Sequence, residues 1–338
     1  MSQPTRPTDA TADGVDASTP SPAPGAPQRV VVALGGNAMT GQDGSATPHA
    51  QRAAIAGAME HVADLVARGV EVVITHGNGP QVGNLLVKNA LAAHVVPPVP
   101  LDWCGAQTQG TIGFTVLDTL EASLASRGVE RPVAALVTRT RVDAGDPGFT
   151  RPTKPVGRYL PREQAQALID HGETWEDRGE RGWRRVVASP EPLEVLEVPA
   201  VRTLLGAGYV VVAAGGGGIP VVRGGDGRLR GVEAVIDKDL TAALLARALD
   251  ADVLVIATDV DHAVAAWGTP EAHPIGRVTL EELTAYADAG HFASGSMGPK
   301  VEAALRFVRT GGRRSVITDL SRIADAVDGG VGTVVENH

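Results

Sequence analysis

Three strand-like runs in the chain, the first of them unbroken apolar, each lead into a glycine cluster, and this repeated strand-to-glycine step is the strongest constraint on its fold. Val30-Val31-Val32-Ala33-Leu34 runs into Gly35-Gly36-Asn37, Val70 to Thr75 into His76-Gly77-Asn78-Gly79-Pro80, and Tyr209 to Ala214 into Gly215 to Gly218. Continuous apolar runs without alternation mark strands buried on both faces, which parallel sheets covered by helices require. Helical patterns follow over about Gln51–Arg68, Pro80–Ala93, Asp102–Ser126, Lys238–Leu249, Leu280–Ala289 and Pro299–Thr310. Further strands are expected at Pro132–Thr138, Asp252–Ala257 and Arg314–Thr318. The alternation predicts an α/β fold: an open αβα sandwich with a mainly parallel central sheet. Residues 139–160 and 173–187 break the rhythm with turn formers, charges, Trp175 and Trp183, and suggest a small protruding lobe at about 139–187.

Glycine at a strand end lets backbone N–H groups approach an anion, and ligands of open α/β sheets bind beyond the carboxyl ends of the strands. Tight turns needing positive φ explain any single loop equally well; three at equivalent positions favour phosphate. The common nucleotide fingerprints are absent. No Gly-Lys dipeptide exists for a Walker loop, and Pro220 occupies the third glycine position of G-x-G-x-x-G. No G-x-S-x-G elbow points to a serine hydrolase.

The 338 residues sum to a net charge of −9, which argues against a globally basic nucleic-acid binder. Four of the 30 basic residues are lysines, and three of these, Lys154, Lys238 and Lys300, lie in Gly-, Pro- or Asp-rich turns. An ammonium is a compact point charge suited to following a phosphoryl group, and phosphoryl transfer depends mainly on positioning and charge neutralisation. Asp237 and Asp239 flank Lys238: one aspartate orients the lysines, or Asp237 merely caps a helix and Lys238 is solvated. Lys88, in a polar helix, reads as a surface residue.

The single cysteine, Cys104, excludes a disulfide framework and reads as a buried structural thiol. No H-E-x-x-H pair or other metal-ligand spacing is present, so no protein-held metal is expected. No apolar stretch is long enough to span a bilayer. Residues 1–28 are rich in Pro, Ser, Thr, Ala and Asp, lack an apolar signal-peptide core, and are expected to form a disordered N-terminal extension. A cytoplasmic location and no membrane partner follow as expectations, with residues 29–338 as one domain.

From about Arg29 to Val335 the chain closely resembles carbamate kinases of the amino-acid kinase superfamily. The likeness rests on Ala33 to Ala38 (ALGGNA), Thr75 to Gly83 (THGNGPQVG), Thr108-Gln109-Gly110 with Ile112-Gly113, and Pro152 to Pro155 (PTKP). It continues through Gly215 to Val222 (GGGGIPVV), Gly231 to Leu240 (GVEAVIDKDL) and Gly290 to Val301 (GHFASGSMGPKV). The resemblance implies reversible phosphoryl transfer between ATP and carbamate, with Mg²⁺ carried by the nucleotide phosphates, in a homodimer. It implies that Lys238 and Lys300 neutralise the transferring group, that Asp239 holds them, and that Lys154 reaches over the site from the lobe. Gly35, Gly36, Asn37, Gly77, Asn78, Gly79, Gly216 and Gly217 would hold phosphate and carbamate. Asp237, Thr258, Asp259, Val260 and Met297 would lie at the nucleotide.

Acetylglutamate kinases and similar relatives place a lysine just before the first glycine loop, where this chain has Ala33. That difference favours carbamate over an amino-acid carboxylate as acceptor. It also weighs, with Lys154, against another small-acid kinase of the same fold. Retention of Lys238, Lys300 and every glycine loop weighs against a non-catalytic metabolite sensor. The lobe departs from the family pattern at Arg139, Arg141 and Arg158, which introduce extra positive charge.

Overall fold

A computed structural model describes residues 28–40, 47–170, 172–292 and 296–337. The expected N-terminal extension therefore lies outside the described residues except for Gln28. Among the described residues the main sheet has eight strands. They are β1 (Arg29–Leu34), β2 (Glu71–His76), β3 (Val133–Ala135), β4 (Val210–Val212), β5 (Val253–Thr258), β6 (Arg277–Thr279), β7 (Arg314–Asp319) and β8 (Thr333–Glu336). Their order is β6-β8-β7-β5-β1-β2-β4-β3. Every pairing is parallel except β7 with β8, so β6 and β8 run opposite to the rest at one edge. The mainly parallel sheet agrees with the expectation from the apolar runs.

Strand β1 shows why such a run forms where it does. Val30, Val32 and Leu34 point into one apolar layer, while Val31 and Ala33 point into the other, and all five are fully buried. The first layer is completed by helices α1 (Pro48–Ala67) and α3 (Leu101–Ser126), on either side in sequence of α2 (Gly79–Ala92). The opposite layer is completed by α5 (Val198–Gly206), α6 (Lys238–Ala248), α7 (Leu280–Asp288) and α8 (Met297–Arg309), with α4 (Arg162–Ile169) lying in the lobe. A strand with both faces covered cannot alternate polar and apolar residues, hence its uniform sequence.

The chain leaves β1 for β2 on one side and later returns to place β5 on the other, so strand order reverses between β1 and β5. Such a reversal opens a crevice at the carboxyl ends, where α/β sheets bind ligands. The loops after β1, β2 and β5 all meet there.

The irregular stretch 139–187 divides in two. Arg139–Arg141 pairs with Ile219–Arg223 and Glu194–Val195 in a four-stranded sheet. Lys154–Leu160, Trp183–Val187 and Trp175–Asp177 form a separate three-stranded antiparallel sheet with a bulge between Val156 and Tyr159. Strands β6 and β8 and helix α5 are elements that the sequence pattern did not single out. The first two are short strands, β6 at the sheet edge and β8 beside it, and α5 is a nine-residue helix with a proline near its start.

Candidate active site

Asp239 sits in the first turn of α6, 3% exposed, and each of its carboxylate oxygens meets a different lysine. The Lys238 ammonium bonds Oδ1, and Lys300 Nζ, from the first turn of α8, donates to Oδ2 at 3.0 Å. Lys300 is itself 6% exposed. Burial pulls the Lys238 pKa down, opposed by attraction to Asp239 and reinforced by repulsion from Lys300. Burial would raise the Asp239 carboxyl, but the two ammonium groups outweigh it and hold the group below the usual carboxylate range. The cluster thus carries two cations on one anion, an excess of one positive charge in a poorly solvated place. It can neutralise an anion that arrives there.

The glycine loops surround this charge. A Cβ on Gly77 would lie 3.4 Å from both the Gly36 backbone nitrogen and Lys238 Cδ, which places the Lys238 stem between the first two loops. Gly35 donates its N–H to the Ala257 carbonyl at 3.0 Å at the end of β5, and the Thr258 backbone lies alongside. The Thr258 hydroxyl donates to Asp259 at 3.1 Å, and Val260 follows in the same loop. The third loop comes from β4: Gly216 has φ +67, and a Cβ there would fall 2.1 Å from Asn78 Nδ2. Only glycine combines that backbone with that approach. Asn78 in turn donates to Thr108 on α3 at 2.9 Å.

Asp237 caps α6, its Oδ1 accepting from the Asp239 and Leu240 N–H groups at 2.9 and 3.3 Å. Its other oxygen accepts from Lys154 Nζ at 2.5 Å, which ties the lobe to the site across 83 residues of sequence. Both sequence readings of Asp237 and Lys238 are resolved by this: Asp237 is a cap, and Lys238, partly buried, is held in an ion cluster. Met297 opens α8 and packs against the apolar layer beside Lys300. Gly36–Asn37 begins a short 3-10 turn after β1, and Gly79 opens α2. Cys104 is buried, unpaired, and pushed above its ordinary pKa by burial; Lys88 is exposed on α2.

Several residues that brace the loops were not given roles from sequence. His76 is buried, and with the proton on Nδ1 its ring donates to the Gly77 carbonyl at 3.0 Å. Burial, with a contribution from Lys238, lowers its pKa to about 4, so the ring is neutral at pH 7. Gln109 donates to the Gly215 and Thr138 carbonyls at 2.9 and 3.1 Å and accepts from Thr138 N–H at 2.8 Å. Thr140 and Thr241 both donate to the Gly217 carbonyl, at 2.8 and 3.1 Å. The Thr108-Gln109-Gly110 motif was a signal for Gln109, and the Thr75 to Gly83 motif held His76 without giving it a role. A groove of about 1400 Å³ opens at Gly79 and Thr108, runs between α1, α2 and α3, and reaches the lobe at Gly157 and Arg184.

The sequence model of the amino acid kinase family matches residues 28–319. Carbamate kinase from Thermococcus kodakarensis is 46% identical over 91% of this chain and 99% of its own length. A carbamate kinase-like protein of Escherichia coli is 43% identical over the same shares. The structure of carbamate kinase from Giardia lamblia bound to AMP-PNP superposes with a TM-score of 0.86 at 40% identity, covering 92% of this chain and 99% of that one. With a buried two-lysine cluster at the sheet's reversal point and these relatives spanning nearly its full length, the chain belongs to the amino acid kinase family and, within it, to the carbamate kinases.

Proposed function

We propose that the chain moves a phosphoryl group reversibly between ATP and carbamate, and that the pairing of Lys238 and Lys300 on the two oxygens of Asp239 is what carries this reading. In the ATP-forming direction an oxygen of the ADP β-phosphate attacks the phosphorus of carbamoyl phosphate. The bond from phosphorus to the carbamoyl oxygen breaks, and carbamate leaves to decompose into ammonia and CO₂. Charge on the transferring group is spread over its oxygens, so fixed cations and backbone donors suffice without a covalent intermediate. Lys238 and Lys300 supply the cations, and Asp239 positions both.

The loops at Gly35, Gly36, Asn37, Gly77, Asn78, Gly79, Gly216 and Gly217 line the place where phosphate and carbamate would sit. The nucleotide would lie along Thr258, Asp259 and Val260, with Met297 and the capped end of α6 at Asp237 beside it. Lys154 would close over the phosphoryl group from the lobe, exchanging Asp237 for substrate oxygens. Among the described residues no cluster of three metal-ligating side chains occurs, and Asp239 is already engaged by two ammonium groups. Mg²⁺ would arrive with the nucleotide phosphates, as part of the substrate.

A homodimer fits an apolar surface on α3, where Trp103 is 60% and Phe114 53% exposed. Among the described residues no helix is long and apolar enough to cross a membrane. The functional test is direct: purified protein with Mg-ADP and carbamoyl phosphate, ATP being read by a coupled reaction. ATP formation is expected; none above background, with acetyl phosphate serving instead, would overturn the reading.

A further inference from the structure

The lobe carries a second concentration of positive charge, apart from the lysine cluster. Arg178 and Arg181, on the turn between the strands Trp175–Asp177 and Trp183–Val187, and Arg184 on the latter strand converge on one cavity. Pro155 and Tyr159 complete its lining, and its volume is about 300 Å³. Arg178 is paired with Glu176 at 2.5 Å. Among the described residues no carboxylate pairs with Arg181 or Arg184, although the neighbouring Arg185 has Glu173 at 3.2 Å. Arg184 donates Nε to the Gly157 carbonyl at 3.2 Å and lies 5.1 Å from the Tyr159 ring centre.

This is a local gathering and not bulk charge. From Lys154 to Val187 the chain has seven basic and six acidic residues. The Tyr159 hydroxyl registers the local field: bonds from Arg181, then Arg184, outweigh burial and hold its pKa below the usual phenol value. Guanidinium groups present paired N–H donors that match phosphate oxygens two at a time. Like charges held in one cavity without an anion repel, and a bound oxyanion converts that repulsion into charge-assisted bonds.

We propose that Arg178, Arg181 and Arg184, with the Tyr159 hydroxyl, form a binding site for a phosphate-class oxyanion, apart from the cluster of Lys238, Lys300 and Asp239; of these residues Arg184 also lines the groove beside α2. Its wall at Pro155 directly follows Lys154, which holds Asp237. Arg184 supports the bulge at Gly157, whose Cα would lie 2.9 Å from a Cβ on Gly83 of α2. The anion site and the lysine that reaches the catalytic cluster therefore share one strand.

The test is calorimetric titration of the full chain and of an Arg178→Gln/Arg181→Gln variant with inorganic phosphate, pyrophosphate and glycerol phosphate. The wild-type chain is expected to bind one anion more than the variant, while the variant keeps its basal ATP-forming activity and so is folded. Arg181→Lys, which keeps the charge and loses the fork, is expected to bind about tenfold more weakly. Tighter binding of glycerol phosphate identifies the ligand as a phosphorylated small molecule; binding of inorganic phosphate alone identifies it as the free ion. Equal stoichiometry and affinity in wild type and double variant would overturn the proposal.

Discussion

The lysine cluster and the lobe hold the same kinds of charge in opposite settings. Lys300 and Asp239 are buried, and Lys238 partly so, at the mouths of three glycine loops, with every partner fixed by a helix start. The arginines of the lobe lie on a small antiparallel sheet and its turn, partly or fully exposed, and the lobe meets the site through the pair Lys154–Asp237 and the close approach of Gly157 to Gly83. The contrast teaches where an ion pair matters: a buried one is costly to break, an exposed one is screened by water.

The largest difference is expected from removing one carboxylate in each region. Asp239→Ala leaves two ammonium groups facing each other without a counter-ion and is expected to cost about 3–5 kcal/mol of stability. Glu176→Ala frees an exposed Arg178 and is expected to cost under about 1 kcal/mol. Urea denaturation of both variants checks this, and similar costs would erase the distinction between the regions.

A second contrast is in pH dependence. His76 has a usual pKa of 6.5, lowered to about 4 in the folded chain. The unfolded chain binds the extra proton between those values, so stability falls as pH drops through that window. A difference of about 2.5 at about 1.36 kcal/mol each amounts to about 3 kcal/mol, of which about 2 is expected between pH 7 and 5. In His76→Gln this component should vanish, as denaturation at the two pH values would show. An unchanged pH slope would mean that the buried ring does not set it.

The glycines give a finer comparison, since Gly216 and Gly157 share φ +67. A Cβ at Gly157 meets nothing within 4 Å, whereas one at Gly216 would strike Asn78. Gly157→Ala is expected to cost about 1–2 kcal/mol of stability for the left-handed backbone alone. Gly216→Ala is expected to lower kcat about tenfold or more in addition, because it displaces a side chain of the second loop. Equal activity in the two variants would remove Asn78 from the catalytic geometry.

How far each region was legible in the sequence follows the same division. Val30–Leu34 and its glycine loop could be read directly because burial on both faces imposes an unbroken apolar run. Lys238 and Asp239 adjoin in sequence, and Lys300 opens a helix at a glycine-proline turn, so chemistry and local structure coincided. Resemblance placed Lys154 over the site, but its pairing with Asp237 was not anticipated, since no local pattern links residues 83 apart. His76 went unread because its role depends on a neighbouring loop closing over it. The gathering of Arg178, Arg181 and Arg184 depends on how two strands and a turn pack, while their spacing in sequence looks like an ordinary solvated surface. Strand β8 was missed for a simpler reason: four residues carry too short a pattern.

The central claim is that the buried cluster stabilises the transferring phosphoryl group while the lobe adjusts it, and kcat at saturating carbamoyl phosphate and Mg-ADP for Lys300→Ala and Lys154→Ala, measured side by side, tests it most directly. Lys300→Ala is expected to lose about 10²–10³ in kcat, the usual loss for a preorganised charge-stabilising donor. Lys154→Ala is expected to lose about tenfold, with a larger share of its effect in KM. Equal losses, or near-normal turnover in Lys300→Ala, would contradict the account.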